Sequence, residues 1–129
     1  MASTVRRFLV IDDEVVALKI ARERLERSGY EVITHEGGFG SSQVALRAEP
    51  DAVLLDVKMP ALGGEQIVGL LRKYLGEDVP IILHSSETLA ELDSRAARLG
   101  VLGGIPKSSD DALFDLQLSR LIRRANTTA

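Results

Sequence analysis

The sequence contains no cysteine and no tryptophan, and only 4% of its 129 residues are aromatic. The lack of cysteine excludes disulfides, thiolate metal sites and cysteine nucleophiles, and it suits a reducing compartment. No apolar run approaches the roughly 20 residues that a membrane helix needs, and the first run, Phe8 to Ile11, is too short for the core of a signal peptide. We therefore expect a cytoplasmic protein.

An excess of basic charge is also missing, because 16 Lys and Arg residues face 19 Asp and Glu residues, for a net charge of -3. Binding to nucleic acid mainly through its phosphates needs a concentrated basic surface, so we expect no direct contact with nucleic acid. Hydrophobic residues make up 45% and charged residues 27% of the chain, as in soluble globular proteins. The length predicts one domain over residues 1–129, with a short disordered tail from about residue 125.

Short apolar runs alternate with stretches of helical periodicity along the chain. The runs predict strands at residues 8–11, 30–34, 52–55 and 80–83, and a weak, glycine-interrupted strand at 101–105. The last helix is predicted from about residue 110 to 124. Five such βα units predict an α/β fold with a parallel sheet that is covered on both faces. An open doubly wound sheet is favoured over an eight-unit barrel, which needs about 250 residues.

Polar side chains follow four of the predicted strands. Asp12 and Asp13 follow the first strand, Asp56 ends the third, Ser85 follows the fourth and Lys107 follows the fifth. Crowded carboxylates without thiols suit a hard cation such as Mg²⁺, which prefers oxygen ligands. A carboxylate can also attack a phosphoryl group, while a lysine offsets the charge that is transferred. The pattern therefore favours phosphoryl chemistry at the carboxyl edge of the sheet.

Each of these residues also has a purely structural interpretation. Asp13 and Ser85 are suited to capping the helices that follow them, Asp56 to forming a turn, and Lys107 to a solvated loop. If each residue had only its structural role, their joint occurrence after four predicted strands would be a coincidence. The combination therefore favours the functional interpretation.

At these residues the sequence resembles the receiver domains of bacterial two-component response regulators. The matching segments are Phe-Leu-Val-Ile-Asp-Asp-Glu at 8–14 and Leu-Leu-Asp-Val-Lys-Met-Pro at 54–60, followed by Gly64, Ser85 and Lys107. The resemblance covers essentially the whole chain. It implies a (βα)5 flavodoxin-like doubly wound parallel sheet with strand order 2-1-3-4-5.

The resemblance also implies a role for each matching residue. Asp56 resembles the phosphoacceptor, which takes a phosphoryl group from a histidine kinase or phosphotransfer protein, and Ser85 and Lys107 resemble the residues that contact the phosphoryl oxygens. The implied Mg²⁺ ligands are Asp12, Asp13, Asp56 and the backbone carbonyl of Lys58. Such a domain catalyses only its own phosphorylation and dephosphorylation. Its further partners are an unknown downstream protein and a second copy in a homodimer.

Lys58 and Glu87 match two positions that tune the lifetime of the phosphoryl group in this family. Lys58 could hold a phosphoryl oxygen or pair with Glu87, and either contact would slow attack by water. The alternative is that Lys58 is an ordinary solvated lysine.

Two features depart from the family pattern. Gly104 stands where receiver domains usually carry an aromatic residue, and the pair Gly103-Gly104 predicts a mobile or irregular fifth strand. Pro106 precedes Lys107 instead of following it, so the loop is expected to aim Lys107 differently.

These departures keep a second interpretation open, a pseudo-receiver that binds partners and whose phosphorylation is vestigial. An aspartyl-phosphate phosphatase and a dinucleotide carrier are less consistent with the sequence. The first generally needs an Asp-x-Asp motif after its first strand, and the second needs a Gly-x-Gly-x-x-Gly motif there.

Overall fold

A five-stranded parallel sheet with helices on both faces forms the protein, in a computed structural model that describes residues 4–38, 40–59 and 63–127. The strands are β1 (Arg7–Asp12), β2 (Glu31–Glu36), β3 (Ala52–Leu55), β4 (Ile81–Ser85) and β5 (Gly103–Pro106). The helices are α1 (Val15–Arg27), α2 (Ser41–Ala48), α3 (Gly64–Leu75), α4 (Leu89–Leu99) and α5 (Asp111–Thr127). The strand order is β2-β1-β3-β4-β5, which confirms the predicted flavodoxin-like fold.

The apolar strands are buried because helices cover both sides of the sheet. Side chains of a strand point alternately to opposite faces, and in β1 Phe8 and Val10 join the core against α1 and α5. Leu9 and Ile11 join the second core, which α2, α3 and α4 cover. Both faces of each central strand therefore need apolar residues, which explains why the strands appear as continuous apolar runs.

Strand β5 is regular despite its two glycines. It pairs in parallel with β4 from Ile82↔Gly103 to Ser85↔Pro106, and all four of its residues are buried. The prediction of an irregular strand is therefore wrong. The physical reason is close packing, since a Cβ atom built on Gly104 would lie 2.7 Å from Cβ of Leu92 in α4. Whether the strand is mobile stays a prediction for hydrogen exchange between Val101 and Ile105.

Helix α5 continues to Thr127, whereas the sequence predicted an end at Arg124 and a disordered tail from about residue 125. Residues 125–127 are thus helical, which corrects the predicted start of the tail, and residues 128–129 lie outside the described part of the chain. Pro60, the last residue of the second matching segment, also lies outside it. Among the described helices, none is long and apolar enough to cross a membrane.

Candidate phosphoryl-transfer site

The carboxyl edge of the sheet brings the sequence-predicted residues together. Asp12 is the last residue of β1, Asp56 follows β3 directly, Ser85 ends β4 and Lys107 follows β5. Because β1, β3, β4 and β5 are parallel neighbours, their carboxyl ends lie along one edge. Asp12, Asp56 and Ser85 are buried, while Asp13 is exposed at the rim.

The ammonium group of Lys107 lies among three carboxylates. Its Nζ atom is 2.7 Å from Oδ2 of Asp12, 3.3 Å from Oδ2 of Asp56 and 3.3 Å from Oε1 of Glu14. The backbone N–H of Lys107 donates to the carbonyl oxygen of Ser85 at 2.7 Å, which anchors the start of the loop to the end of β4. Lys107 therefore reaches Asp56 although Pro106 precedes it instead of following it.

Backbone hydrogen bonds orient the two buried aspartates. Oδ1 of Asp12 accepts from the N–H of Glu14 at 2.9 Å, and Oδ1 of Asp56 accepts from the N–H of Lys58 at 2.9 Å. Aspartate commonly forms such a bond to the backbone two residues further on. The predicted turn-forming role of Asp56 is therefore real, and it leaves Oδ2 of each carboxylate facing Lys107.

The charges in the site shift the pKa values of Asp12 and Lys107. Burial raises the pKa of Asp12, and the nearby charge of Asp56 adds to this, while the hydrogen bond from Lys107 opposes it. Burial alone would lower the pKa of Lys107, but its hydrogen bond to Asp12 and the charges of both aspartates outweigh burial and raise it. Lys107 therefore stays cationic at neutral pH.

The acidic residues offer a set of oxygen atoms that fits a hard divalent cation. Asp12, Asp13, Glu14 and Asp56 each provide one carboxylate oxygen, and these atoms all lie within 4.8 Å of one another. An all-oxygen set with exposed members suits Mg²⁺, which keeps several waters when it binds. Glu14 belongs to this group although it was not among the predicted ligands. Its only signal in the sequence was its place in the acidic run 12–14.

Ser85 is engaged by Glu87 rather than by the acidic cluster. The Ser85 hydroxyl donates to Oε1 of Glu87 at 3.2 Å and accepts from the Glu87 N–H at 3.1 Å. Glu87 in turn accepts two hydrogen bonds from Arg95 of α4, Nε to Oε1 at 2.9 Å and Nη2 to Oε2 at 2.8 Å. The hydrogen bond from Arg95 lowers the pKa of Glu87, although the burial of the carboxylate opposes this.

The predicted pair between Lys58 and Glu87 is not formed, since the carboxylate of Glu87 binds Arg95 and Lys58 is exposed. The positive charge of Lys58 contributes only a minor lowering of the Glu87 pKa. Sequence reasoning missed Arg95, because it lies eight residues after Glu87 and resembles any other charged residue of a helix. A carboxylate and an arginine at that separation carry no local signal.

His84 is a buried residue of β4 with a structural role. It is 5% exposed, its Nδ1 lies 2.7 Å from the carbonyl oxygen of Ile105, and its ring packs edge-on against Phe114. Burial lowers its pKa to about 4. The neutral ring therefore donates from Nδ1 and links β4 to β5 through a side chain.

Comparison with known proteins identifies the class to which this fold and site belong. The family model described as "Response regulator receiver domain" matches residues 8–118. The chain therefore belongs to the receiver domains of two-component response regulators.

Curated relatives and solved structures agree with this assignment. The transcriptional regulatory protein KdpE of Mycobacterium tuberculosis is 35% identical over 94% of this chain and 52% of its own length. The probable transcriptional regulator ycf27 of Cyanophora paradoxa is 38% identical over 92% of this chain and 49% of its own length. The chain thus spans about half the length of these curated relatives.

Among solved structures, the chemotaxis response regulator CheY4 of Vibrio cholerae superposes with a TM-score of 0.79 at 26% identity, covering 92% of this chain and 99% of CheY4. A CheY-like receiver domain protein of Methanospirillum hungatei gives a TM-score of 0.81 at 18% identity, covering 97% and 99%. At that identity, the second comparison supports the fold alone.

Proposed function

We propose that this chain accepts a phosphoryl group on Asp56 from a histidine kinase or phosphotransfer protein, with Mg²⁺ bound. In this proposal the chain acts as a single receiver domain in the cytoplasm and catalyses only its own phosphorylation and dephosphorylation. The observation that carries the proposal is the contact of Lys107 Nζ with Oδ2 of both Asp56 and Asp12. This contact brings residues from three separate strand ends together at one ammonium group.

The residues of the site have complementary roles in this reaction. A carboxylate oxygen of Asp56 attacks phosphorus, a P–O bond forms, and the P–N bond to the donor histidine breaks. Lys107 lies beside that carboxylate, so its charge offsets the negative charge of the phosphoryl group that arrives. The hydroxyl of Ser85 donates a hydrogen bond to a phosphoryl oxygen.

The acidic residues hold the metal ion. Asp12, Asp13 and Asp56, with the backbone carbonyl of Lys58, are the proposed Mg²⁺ ligands, and Glu14 lies within the same group of carboxylates. Bound Mg²⁺ supplies positive charge that neutralises the transferred phosphoryl oxygens. Without the ion, Lys107 neutralises part of the acidic charge.

The proposed output is a change in protein–protein contacts. We place these contacts on the surface of α4, β5 and α5, either with a downstream protein or with a second copy of the chain. No direct contact with nucleic acid is proposed, because the net charge of the chain is -3.

The test is intact-mass analysis after incubation with acetyl phosphate and Mg²⁺. We expect a mass increase of one phosphoryl group on the wild type, and none on Asp56→Asn or after chelation of the metal. Asp78→Asn is a matched control, since Asp78 is an exposed residue between α3 and β4, and it should be labelled like the wild type.

Failure of the wild type to be labelled, under conditions that label another receiver domain, would overturn the proposal. That result would favour the pseudo-receiver, a module of the same fold that binds partners without phosphorylation. Labelling of Asp56→Asn would show that a different residue accepts the phosphoryl group.

A further inference from the structure

The hydroxyl of Ser85 has one proton and two alternative uses. In the structure it donates that proton to Oε1 of Glu87 at 3.2 Å. The proposed function requires the same proton to bind a phosphoryl oxygen on Asp56. A serine hydroxyl donates only one hydrogen bond at a time, so the two bonds exclude each other.

Oε1 of Glu87 is also the atom that links Ser85 to helix α4. It accepts from Nε of Arg95 at 2.9 Å while Nη2 of Arg95 binds Oε2 at 2.8 Å. The Glu87 side chain is 6% exposed and the Arg95 side chain 31% exposed, so water competes little for the carboxylate. Two donors, Ser85 and Arg95, therefore share one buried carboxylate oxygen.

The fifth strand offers no comparable route at Gly104. A Cβ atom there would lie 2.7 Å from Cβ of Leu92, so α4 rests directly on the backbone of β5. Gly104 has no side chain that could move when the site changes. Arg95 lies three residues after Leu92, within one turn of the same helix.

We propose that Arg95 is a positioning residue, and that the chain Ser85–Glu87–Arg95 reports the state of Asp56 to α4. This inference rests on the proposed phosphorylation of Asp56. When Ser85 turns its proton to the phosphoryl group, Oε1 of Glu87 loses one of its two side-chain donors. The bond from Nε–H of Arg95 to that oxygen then becomes shorter and stronger. The signal leaves the site through a hydrogen-bonded chain of three side chains.

The test follows the arginine Nε–Hε signals by NMR while beryllofluoride and Mg²⁺ load the wild-type protein as a phosphoryl analogue. Fluorine NMR measures loading independently. We expect a downfield shift of the Arg95 Hε signal on loading. Arg7 is the matched control, because its Nε binds Oε2 of Glu31 at 3.0 Å at the amino-terminal end of β1, and its signal should not move.

Two variants interrupt the chain, one at its first residue and one at its central residue. Ser85→Ala removes the hydroxyl and Glu87→Ala removes the shared carboxylate, so in each loaded variant the Arg95 signal should no longer respond. Ser85→Thr keeps a hydroxyl and should restore the response. A role of Arg95 in stability alone would not make its signal depend on the hydroxyl of Ser85.

The outcomes separate this inference from the proposed function. Loading of the wild type without a shift at Arg95 would overturn the inference and leave the proposed function intact. An equal shift in either loaded variant, Ser85→Ala or Glu87→Ala, would also overturn it. Absence of a bound fluorine signal in the wild type would overturn both.

Discussion

Replacing Gly104 by alanine tests whether the close contact between α4 and β5 is as rigid as the structure indicates. The new Cβ atom would lie 2.7 Å from Cβ of Leu92, well inside the distance of about 3.5–4.0 Å at which two carbon atoms attract best. Cβ of Leu92 is fixed to the helix backbone, so rotation of the leucine side chain cannot relieve the contact. Helix α4 must move away from the sheet as a unit.

The expected cost follows from two opposing effects. Overpacking of a buried site typically costs about 1–3 kcal/mol. Alanine in place of glycine recovers about 0.4–1 kcal/mol, because it restricts the unfolded chain. The difference between the two effects spans about 0–2.6 kcal/mol. Because the Cβ atom of Leu92 cannot rotate away, we exclude the low end of this range and expect Gly104→Ala to lower the free energy of unfolding by about 1–2 kcal/mol. With a urea m-value of about 2 kcal/mol/M, the unfolding midpoint should fall by about 0.5–1 M.

Two other glycines serve as controls in the same urea titration. A Cβ atom on Gly103 would lie 2.6 Å from Cδ2 of Leu121, the mobile end of a side chain, so Gly103→Ala should cost less than Gly104→Ala. Gly69 is exposed within α3 with nothing within 4 Å of its Cβ position, so Gly69→Ala should add about 0.5–1 kcal/mol. A Gly104→Ala protein as stable as the wild type, or less destabilised than Gly103→Ala, would refute the reasoning.

Three further predictions concern the charges of the site. Asp13→Asn should raise the melting temperature of the metal-free protein by about 1–4 °C, because it relieves repulsion among carboxylates, and a lower value in calorimetry would contradict this. The pKa of Glu87 is lowered in the folded state, so its stabilising effect is present above its ordinary value of 4.5 and is lost as the pH falls through the folded pKa. The Glu87→Gln protein should accordingly lose less free energy of unfolding than the wild type as the pH falls from about 5 to about 3. Urea unfolding at several pH values measures this, and parallel plots of unfolding free energy against pH for the two proteins would contradict it. Lys58→Asn should speed the loss of the phosphoryl group from the phosphorylated protein, and intact-mass analysis over time measures this rate. An unchanged rate would support the alternative that Lys58 is an ordinary solvated lysine.

The central strands could be predicted from sequence because burial on both faces leaves a strong local signal. Strand β3 was predicted at residues 52–55 and forms there, since all four of its residues are fully buried. Strand β5 was predicted poorly, because its regularity depends on neighbours rather than on its own side chains. Its glycines weaken a strand in isolation, yet α4 and α5 pack against them in the fold.

The same distinction between local and distant information applies to the site. Asp12, Asp56 and Lys107 could be placed together because parallel topology alone brings their strand ends to one edge. The partner of Glu87 could not be predicted, since Lys58 and Arg95 are both cations within reach in principle. Only the three-dimensional position of α4 decides the choice in favour of Arg95.

The contact between Gly104 and Leu92 also limits how this sequence can change over evolutionary time. Any larger residue at position 104 meets Cβ of Leu92, and even Leu92→Ala would retain that atom. A mutant lineage could therefore acquire a side chain at position 104 only after α4 had shifted outward, and such a shift would disturb the bond between Arg95 and Glu87. The glycine and the placement of the helix are thus epistatic, and single substitutions at position 104 should be depleted in a library selected for folded protein.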